Sequence, residues 1–156
     1  LQGVYMLRGV VSGGKLVARK LTDYRLGLYA AVDYIDRHGP IAFDRLGDHP
    51  FAWYIDERID IPELRLLREI SEEVRPVFRS TSIAAQHEAV AGGLGLGVLH
   101  AFAADRDPRL VRVLADEVEI RRSYWLVIHA DLHTLPHIRA TGEFLDAMIA
   151  ANRGRL

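Results

Sequence analysis

At 156 residues the chain is about one domain, or two small lobes sharing one unit, and a multidomain machine is excluded. Hydrophobic residues at 49% are enough to fill a core without staples, which excludes a disordered chain, and with no cysteine there is no disulfide framework, thiolate zinc site or cysteine nucleophile. Twenty Lys and Arg against 21 Asp and Glu leave a net charge of -1, so no global field draws the chain to nucleic acid or an anionic membrane.

Val4 to Arg8 is a short apolar stretch and Ser12-Gly13-Gly14 a turn signal, followed by an alternating strand from Lys15 to Leu21. Arg25 to Val32 is a nearly continuous apolar run, the pattern of a central strand buried on both faces of a mixed or parallel sheet. Asp33 is placed to N-cap a short helix through Arg37 that Gly39-Pro40 closes. A turn at Asp44 to Gly47 leads into a strand from Phe51 to Ile55. Pro62 and the spacing of Leu64, Leu67, Ile70 and Val74 predict a helix over 62–74 that Pro76 ends.

Val77 to Arg79 reads as a brief strand, and Ser80-Thr81-Ser82 offers caps for a helix running to Ala91, stopped by Gly92-Gly93. Leu94 to Leu99 returns as a strand, Ala101 to Ala104 makes one helical turn, and Leu110 to Leu114 and Tyr124 to His129 are strands. Over 134–152, Leu135, Ile138, Gly142, Leu145, Met148 or Ile149, and Asn152 form the stripe of an amphipathic helix. Strands alternating with helices imply βαβ units and a ligand site at the carboxyl ends of strands.

The longest uncharged apolar stretch, Ile83 to Phe102, is broken by Gln86, His87, Glu88 and glycines, so no membrane span is expected. The opening Leu1-Gln2-Gly3 has no initiator Met and no signal-peptide pattern, and we read an excised piece of a cytoplasmic protein.

Gly92-Gly93-Leu94-Gly95-Leu96-Gly97 has the glycine density of a phosphate loop in the wrong order. A dinucleotide loop needs a strand before it and a helix after it, whereas here the helix precedes, so the glycines are read as a helix stop and close helix-to-strand packing. His129, His133 and His137 fall four apart, as metal ligands on one helical face would, but Pro136 interrupts that face and no metal is expected. Asp56, Glu57, Asp60 and Glu63 have nothing apolar around them to split their pKa values into an acid and a base. No Gly-x-Ser-x-Gly elbow supplies a hydrolase nucleophile, and no cofactor or catalysis is expected.

Ser80-Thr81-Ser82 carries more chemistry. It joins a strand to a helix, where hydroxyls, free amides and the positive end of the helix dipole converge on any carboxylate or oxyanion.

The order Phe78-Arg79-Ser80-Thr81-Ser82-Ile83-Ala84-Ala85-Gln86, then Ala89 through Leu99, then Leu110-Val111-Arg112-Val113-Leu114 resembles the effector-binding domain of LysR-type transcriptional regulators. Lys15 to Leu21, Tyr34 to Gly39, Leu46 to Pro50, Tyr124 to His129 and Ile138 to Leu145 extend that resemblance over nearly the whole chain. The resemblance implies an α/β fold of two Rossmann-like lobes, like a type 2 periplasmic binding protein, with the first lobe incomplete. Residues 1–31 and 125–156 would belong to the first lobe and 32–124 to the second. It implies a small anionic or polar effector in an inter-lobe cleft, met by Ser80, Thr81 and Ser82, with Tyr29, Ala30, His100 and Phe102 as further lining. His100 stands where the family commonly has proline. It also implies a homo-oligomer that reaches DNA only through a domain outside this chain, with the helix near 82–91 on the family's dimer contact. A piece of a transporter's solute-binding protein is the competing reading.

Overall fold

The computed structural model describes residues 4–8, 16–54, 74–132 and 134–156. The expected turn at Ser12 to Gly14, the expected helix over 62–74, the carboxylates from Asp56 to Glu63, and His133 lie outside the described residues. The chain divides into two compact units: Leu1–Arg25 with Arg121–Leu156, and Leu26–Ile120.

In the first unit β1 (Val4–Arg8) pairs antiparallel with the end of β7 (Glu119–His129), Met6 opposite Leu126. The first part of β2 (Leu16–Ala31) belongs to the same unit. A helix, labelled α4 here (Pro136–Asn152), closes the unit with Ile138 and Gly142 on its buried face. Pro136 sits in the first helical turn, where its missing N–H would have had no partner anyway. Met148 is 46% exposed and Ile149 half-buried, so the stripe runs through Ile149. Arg19 on β2 grips Asp146 on α4 with two hydrogen bonds of 2.9 and 2.8 Å.

In the second unit the later part of β2 lies between two antiparallel neighbours. Leu28 to Ala30 pair with Val98 to Leu96 of β5 (Leu96–His100) and with Val113 to Val111 of β6 (Leu110–Val113). Leu26 to Ala31 is buried at every position, on both faces of the sheet, which is why the run is continuously apolar apart from Gly27. β3 (Pro50–Trp53) runs parallel to β5 and to β4 (Arg75–Arg79), which is an edge strand among the described residues. Around the sheet stand α1 (Val32–His38), a 3-10 helix (Phe43–Asp48), α2 (Ile83–Ala91) and the single turn α3 (Ala101–Ala104). Tyr29, Ala52, Val90, Leu99 and Ala104 make a core cluster here.

Four expectations change. The strands read separately at 15–21 and 25–32 are one strand of 16 residues. Asp23, between the two expected strands, is held by Lys20 at 2.8 Å and by the Ser123 hydroxyl. Asp33 does not cap α1: the N-cap is Ala31 without a side-chain bond, the Val32 amide donates to the Arg109 carbonyl at 2.9 Å, and Asp33 lies in the first turn, where a negative charge still suits the dipole. β4 starts at Arg75 and so contains Pro76, because the register shifts there by one residue and a bulge on an edge strand tolerates a residue with no N–H. β7 begins five residues before the expected Tyr124.

Candidate functional site

Because β3, β4 and β5 are parallel, the residues that end or follow them gather along one edge of the second unit: Tyr54, Ser80 and His100. That carboxyl edge is where open α/β sheets receive ligands. The Ser80 amide donates to the Trp53 carbonyl at 3.0 Å, tying the turn after β4 to the end of β3.

Ser82 is the N-cap of α2, its hydroxyl accepting from the Ala85 amide at 3.3 Å, while the Ser80 hydroxyl accepts from the Ser82 amide at 3.0 Å. Both hydroxyls therefore use lone pairs on the backbone and retain an O–H to donate outward, which selects an acceptor such as a carboxylate. The first intrahelical bond runs from the Gln86 amide to the Ser82 carbonyl at 3.1 Å, leaving the amides of Ile83 and Ala84 to outside acceptors. Thr81 and Ser82 are exposed and Ser80 is half-buried.

Behind this turn stands a residue to which the sequence reading assigned no role. Gln86 is 1% exposed, and its side-chain amide donates to the Ser80 carbonyl at 2.6 Å, fixing the turn from below. The available signal was a lone amide on the buried face of α2, which it shares with Val90.

The other candidates separate by depth. His100 ends β5 at the same edge, is buried, precedes α3 and meets Phe102 edge to face at 5.4 Å. Leu26, not Tyr29, is the β2 residue opposite His100, because the two strands are antiparallel. Tyr29 lies opposite Gly97 and Ala30 opposite Leu96, three and four positions further from that edge. Tyr29 belongs to the core cluster and donates its hydroxyl to Asp105, and Ala30 is wholly buried between β5 and β6. The structure thus gathers Ser80, Thr81, Ser82 and His100 by topology and sets Tyr29 and Ala30 deeper.

A charged group lies on the outer side of α2. His87 Nε2 meets Asp107 at 2.8 Å, and Arg109 donates to Asp107 at 2.7 Å and to both Glu88 oxygens at 3.0 Å. Arg109, then His87, holds the Asp107 carboxyl well below the usual carboxylate range, and Arg109 lowers Glu88 as well. Ligand atoms of His87, Glu88 and Asp107 lie within 4.8 Å of one another, but both carboxylates are already hydrogen-bonded to the Arg109 guanidinium. His129 ends β7 and faces Asp131 at 3.5 Å, whereas His137 lies in α4, so these two do not share a helical face.

A mixed sheet with a serine- and threonine-lined helix start at its carboxyl edge defines a small-ligand binding domain. The sequence matches the LysR substrate binding domain family over residues 4–150, and the chain belongs to that family, the effector-binding regulatory domain of LysR-type transcriptional regulators. No curated protein matches the sequence. Among solved structures, the chain is similar to the regulatory domain of CrgA, a LysR-type regulator from Neisseria meningitidis, at 19% identity and a TM-score of 0.78, covering 93% of this chain and 74% of that one. It is similar to the HypT regulatory domain from Salmonella typhimurium in its apo form (18%, TM-score 0.76, 95% and 73%). A third is the CcmR regulatory domain from Synechocystis PCC6803 in complex with 2-PG (20%, TM-score 0.70, 93% and 72%). At these identities the likeness establishes the α/β fold, which is of the type 2 periplasmic-binding-protein kind. Among the described residues no helix is long and apolar enough to cross a membrane.

Proposed function

We propose that this chain senses a small anionic or strongly polar organic effector for a cytoplasmic, homo-oligomeric LysR-type regulator, without catalysis, and that DNA is contacted by another domain. The expected second lobe, 32–124, with 1–31 and 125–156 contributing to the first, corresponds to the compact unit Leu26–Ile120 with its boundaries displaced by six and four residues. The effector contacts Thr81 and Ser82 first, with Ser80 beside them, His100 and Phe102 as flanking surface, and Tyr29 and Ala30 as the packing behind. The observation that carries the reading is the turn before α2, in which two hydroxyls and the amides of Ile83 and Ala84 all present donors and, among the described residues, no carboxylate is bonded to the two hydroxyls. An effector biases the regulator only through its differential affinity for the domain's conformations.

The test is calorimetric titration of the intact regulator with a panel of small carboxylates. The Thr81→Ala/Ser82→Ala protein, shown folded by circular dichroism, is expected to lose at least tenfold in affinity for any carboxylate that binds the parent. Undiminished affinity in the folded variant rules the site out. Loss of the cap by itself costs about 1 kcal/mol of helix stability, so folding and binding are read separately.

A further inference from the structure

Two irregularities meet at one turn of the second unit, between β6 and β7. Leu114, the residue after β6, has a φ of +50°, and among the described residues it is the one non-glycine with a positive φ. A Cβ in that left-handed region crowds the following carbonyl, so the conformation persists only where its surroundings hold it. Two bonds hold it here: the amides of Glu117 and Val118 both donate to the Leu114 carbonyl, at 3.2 and 2.8 Å. The second irregularity is Arg112, two residues earlier. Its Nε is buried without an acceptor, and its Nη2 reaches the Val118 carbonyl only at 3.4 Å and Glu119 only at 3.5 Å. Glu119 balances the charge, yet these contacts exceed the roughly 2.7–3.2 Å of a good hydrogen bond. The guanidinium is also confined, since it lies where a side chain on Gly27 would stand: a Cβ there would be 2.9 Å from the Arg112 Nε.

Strand pairing places this turn in the unit. Leu28 of β2 faces both Val98 of β5 and Val113 of β6, so β5 and β6 run the same way and Leu114 opens on the same edge as His100. Beyond the turn Val118 and Ile120 are buried, and β7 leaves the unit after Ile120, so the turn fixes where that strand begins. We propose that the turn Leu114–Val118 is a two-state switch. In its strained state Leu114 is left-handed; in its relaxed state Leu114 leaves that region and the Val118 carbonyl closes on the Arg112 guanidinium. One movement relieves both irregularities, because reorienting the Leu114 carbonyl releases the Glu117 and Val118 amides and frees Val118 to approach Arg112. Backbone strain is given up, and a buried guanidinium that is costly while under-bonded gains a short bond. A ligand at this edge biases the turn only through a difference in its affinity for the two states. The inference stands independently of the effector contacts assigned to Ser80–Ser82.

The experiment is native-state amide hydrogen exchange of the 156-residue chain, read at Val118, whose amide is bonded to the Leu114 carbonyl in the strained state and released in the relaxed one. Leu114→Asn introduces a residue that accepts the left-handed region and should raise Val118 protection by about threefold or more. Leu114→Val introduces a β-branched residue poorly suited to that region and should lower it by about threefold or more. Arg112→Met keeps much of the apolar stem, removes the group that favours the relaxed state, and should raise protection. The Val98 amide in the core reports global stability, and each change at Val118 is read relative to it. If Leu114 only packs its side chain, both substitutions at that position lower Val118 protection; if Arg112 only props the turn, Arg112→Met lowers it. Either result overturns the proposal, as does protection that is unchanged in both Leu114 variants. Should Leu114→Val fail to fold, a fall in protection in either of the other two variants still overturns it.

Discussion

Replacing Gly97 by alanine probes how closely α2 lies on the sheet. A Cβ at this position would stand 2.5 Å from Val90 Cγ2, with the Ala52 carbonyl oxygen and Cβ at 3.6 and 3.7 Å. Carbon atoms rest at about 3.5–4.0 Å, so only the valine methyl is overlapped, by about 1 Å. Val90 is wholly buried and its χ1 is stiff, so the helix itself must shift. Overpacking of this kind costs about 1–3 kcal/mol, against which the reduced freedom of the unfolded chain returns about 0.4–1 kcal/mol. The net loss is roughly 1.5 kcal/mol, a fall in Tm of about 3–6 °C for a chain of this size. Val90→Ala alone removes buried carbon and should cost about 2 kcal/mol. Together the two changes should compensate, because the new methyl enters the space the old ones leave, and the double variant should lie at least 1 kcal/mol above the sum of the singles. Urea unfolding followed by circular dichroism and by fluorescence measures this, Trp53 being a buried reporter in the same unit. Additivity within about 0.5 kcal/mol would refute the close-packing account of the glycine.

Gly95→Ala should be harsher, costing more than about 3 kcal/mol. Its φ of +151° is one that side chains rarely adopt, and its Cβ would run into the Pro50 carbonyl, so strain and overlap of about 1–3 kcal/mol each combine; a loss below 1 kcal/mol by chemical denaturation would contradict this. His49 accepts from the Tyr34 hydroxyl at 2.9 Å through Nδ1 in its Nε2–H tautomer, and burial, then the neighbouring His38, holds its pKa below the ordinary histidine value. Between its folded and unfolded pKa values the unfolded chain binds more protons, so stability should fall as the pH drops from 7 through about 6 and level off below the folded value. Melting curves of His49→Gln should show a smaller acid slope. Asp107 acts in the same direction at lower pH: its depressed pKa contributes stability above about pH 4 that is lost on further acidification. Asp107→Asn should therefore be less stable than the parent at neutral pH and converge with it in acid, and a gap independent of pH would refute the role of Arg109.

Local chemistry was legible wherever one residue type answers one backbone need. A cap for α2 within Ser80-Thr81-Ser82, Gly92-Gly93 as its stop and Gly39 at the end of α1 were read from neighbours alone, because capping is decided within a few residues; the structure selects Ser82 of the three. The apolar run through Leu28 to Ala30 likewise announced a strand with two partners. Pro76 misled: it reads as the end of the preceding helix, with the strand starting only at Val77, and only the bulge against Phe51 and Ala52 makes room for it within an edge strand.

What the sequence by itself determined is therefore the kind and order of the elements, the glycine-lined contact between α2 and β5, and the donor-rich turn at Ser80 to Ser82. Tertiary structure alone decided which residues share an edge. Direction of pairing is invisible in a strand's composition, and the antiparallel register of β2 on β5 sets Leu26, rather than Tyr29, beside His100. The same holds for Gln86 under Ser80, for Arg109 between Glu88 and Asp107, and for Arg19 on Asp146. Charges up to 127 positions apart carry no local signature of their meeting, because their energy exists only once the chain has folded and brought them within a few ångströms.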